Sequence, residues 1–279
     1  MKKIITVIIL VCSLNQTAMA QSPGKYADVN GLHLYYEIHG EGFPLVLVHG
    51  GGSTIGTTFG RILPELARQH KVIAVEMQTH GHTADIDRPM TFTQDADDIA
   101  ALLKHLGIAK ANIFGFSNGA STTLELAIRH PQVVSKIIVA STMYKKSGSY
   151  PWFWEAMSRA SFDDMPKIYK DAYLRINPDE KALYTMFRRD AARMQAFTDI
   201  KDEDIKSIKV PALIICGDKD VVSPEHAVEM YRNIANAQLA IFPGGHGDYI
   251  GEIFTLKPGQ TTFPGVPVIQ KFLGEDVNR

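Results

Sequence analysis

Six short apolar runs constrain this chain more than any other feature. Residues 45–49, 72–76, 112–116, 136–141, 212–216 and 238–242 are each of strand length and rich in Val, Ile and Leu, and stretches with helical periodicity separate them. A strand with one solvated face alternates apolar and polar residues, whereas a continuous apolar run is buried on both faces. Helices between such runs predict a parallel sheet covered by a helical layer on each side.

The start departs from that pattern. Residues 26–29 and 32–38 flank Asn30-Gly31, a two-residue turn signal that predicts an antiparallel hairpin. Further on, Ile99, Leu102, Leu103 and Leu106 fall on one helical face ahead of Gly107 as a stop. Ser223-Pro224-Glu225 reads as a helix start, with Ala227, Met230, Tyr231 and Ile234 on one face. Between about 143 and 208 no strand is expected, only helical stretches around 168–176 and 179–197. An insertion there, between two sheet strands, is expected to sit over the carboxyl ends of the strands, where open α/β sheets bind ligands.

Composition sets the outer bounds. With 279 residues, 45% hydrophobic and 21% charged, the chain has enough apolar material for one large core. A net charge of −1 and no basic run beyond the first residues exclude a nucleic-acid binder. Lys2 and Lys3, an apolar run over 4–14 and Ala18-Met19-Ala20 form the pattern of an export signal cleaved after Ala20. That run is too short for a span, which needs about 20 residues. The expected mature protein is therefore periplasmic or secreted, without a stable membrane anchor, and holds one thiol, Cys216. The sequence leaves its oligomeric state open.

The chemistry gathers where expected strands end. Gly115-Phe116-Ser117-Asn118-Gly119 follows the run at 112–116 and precedes a helical stretch over 120–129, the setting of a nucleophile elbow. A serine hydroxyl needs a base, and the base needs an acid to orient it. Asp218 and Asp220 follow the run at 212–216, and His246, in Gly244-Gly245-His246-Gly247, follows the run at 238–242. His49-Gly50-Gly51-Gly52 follows the run at 45–49 and supplies backbone amides for a developing oxyanion, from Gly51 rather than Gly52, with Asn118 as the second donor. His49 and His80 are expected to brace turns, and the close spacing of His80 and His82 suits a turn better than a metal site, so no metal or other cofactor is implied. Trp152, Trp154, Met186 and Phe187, followed by Phe153, Met194 and Phe197, are candidates for lining an acyl or ring pocket, or, at helical spacing, for packing the inserted helices onto the core.

Taken together, HGGGST, QTHGHT at 78–83, GFSNGA, GDKDVVSP and GGHGDY resemble the α/β-hydrolase superfamily over nearly the whole mature chain. The resemblance implies an α/β-hydrolase core over 21–142 and 209–279 with a helical cap over 143–208. It also implies a triad of Ser117, Asp220 and His246, with Gly51 and Asn118 as oxyanion donors. The nearest flavour is that of esterases, lactonases and enol-lactonases, so the expected substrate is a small-molecule ester or lactone. Other triad chemistry, including perhydrolysis, carbon-carbon hydrolysis and cyanohydrin cleavage, stays open, as does a ligand receptor with negligible turnover. Two departures mark this chain. Glu76 and Gln78 stand where many relatives carry an aspartate and an arginine, and an extended segment over 254–267 precedes the last helix.

Overall fold

The computed structural model describes residues 24–275, so the export segment expected over residues 1–20 lies outside the described residues. Eight strands, β1 (Lys25–Val29), β2 (Leu32–His39), β3 (Phe43–Val48), β4 (His70–Glu76), β5 (Ala111–Phe116), β6 (Val134–Ala140), β7 (Ala212–Gly217) and β8 (Ala237–Phe242), form one sheet. Its order is β1-β2-β4-β3-β5-β6-β7-β8. Strand β2 is antiparallel to both neighbours, and every other pairing is parallel. The hairpin forms because Asn30 and Gly31 accept φ of 50° and 81°, the left-handed turn that matches strand twist.

The helices are α1 (Ile55–Phe59), α2 (Leu63–Leu66), α3 (Phe92–His105), α4 (Asn118–Arg129), α5 (Pro151–Ser158), α6 (Lys167–Ile176), α7 (Glu180–Gln195), α8 (Asp202–Ser207), α9 (Pro224–Asn233) and α10 (Gly265–Gly274). Successive strand residues point to opposite faces. Val46 and Val48 of β3 belong to one apolar cluster with Ile99 of α3, Leu124 of α4 and Met230 of α9. Leu45 and Leu47 pack with Phe59 of α1, Leu66 of α2 and Phe272 of α10. Burial on both sides explains the unbroken apolar runs. Truncating one of these side chains, Leu47→Ala for instance, costs about 2–5 kcal/mol.

Two expectations weaken at the sheet's edge. Tyr231 is 41% exposed although it shares a face of α9 with the buried Ala227, Met230 and Ile234. That helix covers β7 and the edge strand β8, so no further strand lies under its outer flank. For the same reason β8 is only half-buried. The last helix starts at Gly265, inside the segment expected to be extended up to 267.

Helices α5 to α8 all lie between β6 and β7. Of these, α8 buries Ile205 in the core beneath the sheet's helical layer. Helices α5, α6 and α7 instead enclose a cavity with the ends of β5 and β6. Cap and core are fastened by Arg189 of α7, whose guanidinium donates to Asp85 at 2.8 and 3.0 Å. Among the described residues, no helix is long and apolar enough to cross a membrane.

Candidate active site

Ser117 sits where β5 turns into α4, with φ 53° and ψ −120°. A non-glycine residue there is strained by about 1–3 kcal/mol. The neighbouring glycines make the corner possible. A Cβ on Gly115 would meet the Gly119 carbonyl at 2.1 Å, and one on Gly119 would meet the Val48 carbonyl at 2.1 Å. The Ser117 N–H donates to Ala140 at 2.8 Å, which carries the ladder of β6 up to the corner, while its carbonyl accepts the first helical bonds from Ala120 and Ser121. Its hydroxyl makes no capping bond to the helix.

Three residues past β7, Asp220 lies buried beside His246. Its Oδ1 accepts from His246 Nδ1 at 2.6 Å, leaving Nε2 as the basic nitrogen of the ring. The Val221 N–H also donates to Oδ1, at 2.7 Å, and Ser141 Oγ donates to Oδ2 at 2.5 Å. Burial works against the Asp220 carboxylate, but His246, Ser141 and the Gly217 amide outweigh it and hold its pKa below the usual range. Burial likewise disfavours the His246 imidazolium, yet the charge and hydrogen bond of Asp220 hold that pKa above the ordinary histidine value. The neighbouring acid does different work. Asp218 Oδ1 accepts the Gly244 N–H at 2.8 Å and braces the turn that carries His246.

Ser141, with φ 55°, and Tyr249 were not anticipated from the sequence. Ser141 has one hydroxyl proton and gives it to Asp220, so the Tyr249 hydroxyl at 2.7 Å is the donor in their contact. The Asp-Tyr pair of GGHGDY was the available signal for Tyr249; Ser141 shows only as the residue that ends an apolar run.

The glycine loop after β3 faces this corner. Gly50 N–H reaches Thr58 Oγ1 at 3.4 Å and Gly52 N–H donates to Asp190 Oδ2 at 2.6 Å. Among the described residues no protein acceptor takes the N–H of Gly51 or of Asn118. A side chain at position 51 would strike the side-chain Nδ2 of Asn118 at 2.3 Å. His49 Nδ1 donates to the Gly50 carbonyl at 2.7 Å, and its Nε2 accepts from Met77 N–H at 3.1 Å. Burial and the adjacent His80 charge bring its pKa down to about 3, so it stays neutral. His80 turns to Asp190 and His82 to Glu76, so the two rings do not converge on a common point.

Gly51, Ser117, Asn118, Asp190 and His246 all line one cavity of about 570 Å³ beneath the cap. Of the seven candidates for the pocket, Phe153, Phe187 and Met194 line it, and of the four put first only Phe187 does. Trp152 is 57% exposed on the outside of α5. Trp154 packs against Phe197 and donates its indole N–H to the Lys146 carbonyl at 2.7 Å. Met186 is buried inside the cap against Tyr173 and Leu183. The reason is helical phase. Phe187, Asp190, Ala191 and Met194 follow the i, i+3, i+4, i+7 spacing and turn one stripe of α7 to the cavity, which sends Met186 elsewhere. The other apolar walls are Met143, Phe153, Met157 and Met165.

With the geometry in place, the likeness to known proteins is informative. Residues 44–165 match the family model of the alpha/beta hydrolase fold. The chain is 32% identical over 253 residues to a dihydrolipoyllysine-residue acetyltransferase component of the acetoin cleaving system from Pseudomonas putida, across 81% of this chain and 65% of that one. It is 28% identical over 234 residues to the serine hydrolase BPHL of Homo sapiens, across 78% and 77% of the two chains. The crystal structure of an enol-lactonase from Burkholderia xenovorans LB400 superposes with a TM-score of 0.69 at 23% identity, covering 90% of this chain and all of that one. The chain belongs to the α/β-hydrolase superfamily. That membership supports hydrolase activity.

Proposed function

We propose that this protein is a serine hydrolase that cleaves a carboxylic ester or lactone through an acyl-enzyme. Ser117 Oγ attacks the carbonyl while His246 Nε2 takes its proton. The amides of Gly51 and Asn118 receive the oxyanion, and His246 returns the proton to the leaving alcohol. Water, activated by the same ring, then releases the acid. The observation that carries this reading is His246, bonded at 2.6 Å to the buried Asp220, in one cavity with a strained serine whose hydroxyl caps no helix. The walls of that cavity are mostly apolar, which suits an aliphatic or ring-bearing acyl group. The N-terminal pattern adds the proposal of an exported protein whose chain begins at Gln21, which sequencing of exported material tests.

A fluorophosphonate should label the protein once, at Ser117, and a panel of esters and lactones graded in acyl length and ring size should be turned over with a preference for apolar acyl groups. A folded protein that resists labelling and hydrolyses none of the panel sinks the proposal in favour of a ligand receptor.

A further inference from the structure

Asp190 belongs to none of the motifs above, yet its carboxylate reaches the glycine loop from the cap. Oδ2 accepts the Gly52 N–H at 2.6 Å and contacts His80 Nε2 at 2.9 Å, and Oδ1 accepts from Arg193 Nη2 at 2.5 Å. Arg193 Nη1 continues to Asp95 of α3 at 2.8 Å. His80 Nδ1 faces the Gln78 carbonyl at 2.9 Å. Both ring nitrogens of His80 therefore face acceptors, and only an imidazolium satisfies both. Two cations and two carboxylates thus form one buried group, in which Asp95 Oδ1 and Arg193 Nε have no hydrogen-bond partner among the described residues. Burial works against the Asp190 carboxylate, but His80, Arg193 and the Gly52 amide outweigh it and hold the side chain ionised.

The bonds fall on two successive peptide planes. The plane whose N–H belongs to Gly51 has its carbonyl, that of Gly50, held by His49 Nδ1. The next plane is gripped at both ends, its carbonyl by Ser53 Oγ at 3.3 Å and its Gly52 N–H by Asp190. Gly52 has φ 65°, and only Met165 comes near its Cβ position, so local sterics do little to fix it.

We infer that Asp190 is a positioning residue: from the cap it holds the Gly51–Gly52 peptide so that the Gly51 N–H points at the oxyanion. This inference rests on the acyl-transfer reading of Ser117. Its consequence is that cap and oxyanion donors form one unit, so the part of the molecule that selects substrate also sets the aim of a catalytic amide. A misplacement of about 1 Å in such a donor costs about 10²-fold in rate.

The test compares two neighbours on α7. Asp190→Asn keeps the shape, but no orientation of the amide accepts from Gly52, His80 and Arg193 together. It should lower kcat about 10- to 100-fold with KM within about threefold, and weaken a trifluoromethyl ketone, whose adduct places an oxyanion in the hole, by the same factor as kcat. Arg189→Gln breaks the cap's tie to Asp85 without touching the loop; it should lower Tm and leave kcat within about twofold. Should Asp190→Asn not fold, hydrogen exchange on the wild type decides, because the inference requires a slow Gly52 amide in an otherwise open loop. An unchanged kcat in Asp190→Asn, parallel losses of Tm, KM and kcat in both variants, or fast exchange at Gly52 overturns the positioning role while leaving Ser117 as nucleophile. A wild-type protein without esterase or lactonase activity overturns both.

Discussion

Among the described residues two serines begin α-helices, and they treat their hydroxyls in opposite ways. Ser223 precedes α9 with φ −69° and ψ 139°, and its side chain accepts the His226 N–H at 3.2 Å. Ser117 precedes α4 from the left-handed region, and its side chain caps nothing. The residue type and the position are the same; the backbone differs. An extended N-cap spends its hydroxyl on the helix and stabilises the fold by about 1 kcal/mol. The strained corner forgoes that gain and leaves the hydroxyl uncapped in the cavity that His246 also lines. Stability and reactivity are thus alternative uses of one group, and two glycines at the corner decide between them.

The contrast can be broken most directly at Ser117 itself. Ser117→Ala should reduce kcat by a factor on the order of 10⁶ and leave the fold and Tm nearly unchanged, because no cap bond is lost. Single-turnover kinetics with calorimetry checks both halves. Asp220→Asn comes next, with an expected loss of about 10⁴ in kcat, against a far smaller loss for Asp218→Asn, which only loosens the turn at Gly244.

The pH profile sharpens the same point. Asp220 raises the His246 pKa, so the ring keeps its proton to higher pH, and kcat/KM should fall on an acid limb above the ordinary value of about 6.5. Removing the carboxylate should move that limb to lower pH. At Ser223 the expectation reverses, since Ser223→Ala should cost about 0.5–2 kcal/mol in denaturant unfolding and leave kcat intact. The smallest effects belong to the cap. Phe187→Ala should redistribute preference among acyl groups, whereas Trp152→Ala should stay within about 0.5 kcal/mol in stability and leave the preference unmoved.

The sequence was most legible where backbone alone sets position. Continuous apolar runs located the sheet, and Ser117 and His246 could be placed because the first directly follows one run and the second lies in the glycine turn after another. Between Asp218 and Asp220 the residues left a choice that only the family resemblance resolved; the geometry shows the division of labour, with one carboxylate on the ring and the other on the turn beneath it. The cap was less legible because its side chains are placed by helical phase against a neighbour. Trp152, Trp154 and Met186 were chosen as bulky apolar residues, and rotation about the axes of α5 and α7 carried them away from the cavity. Phe153 and Met194, also candidates from the sequence, do line it. Asp190 lay beyond such reading, since its partner Gly52 stands 138 residues away and no local pattern links a cap carboxylate to a glycine amide.

Met143, Met157, Met165 and Met194 give the cavity walls that mould to guests of different shape. The same thioethers are open to peroxide and hypochlorite, which convert them to polar, chiral sulfoxides. Cys216 offers no such target: it is buried, and burial with the nearby Asp220 charge pushes its thiol pKa up to about 12. Oxidants should therefore erode binding of apolar acyl groups through methionine while the thiol stays silent. A sulfoxide reductase, and not a thiol reductant, would be what restores the enzyme.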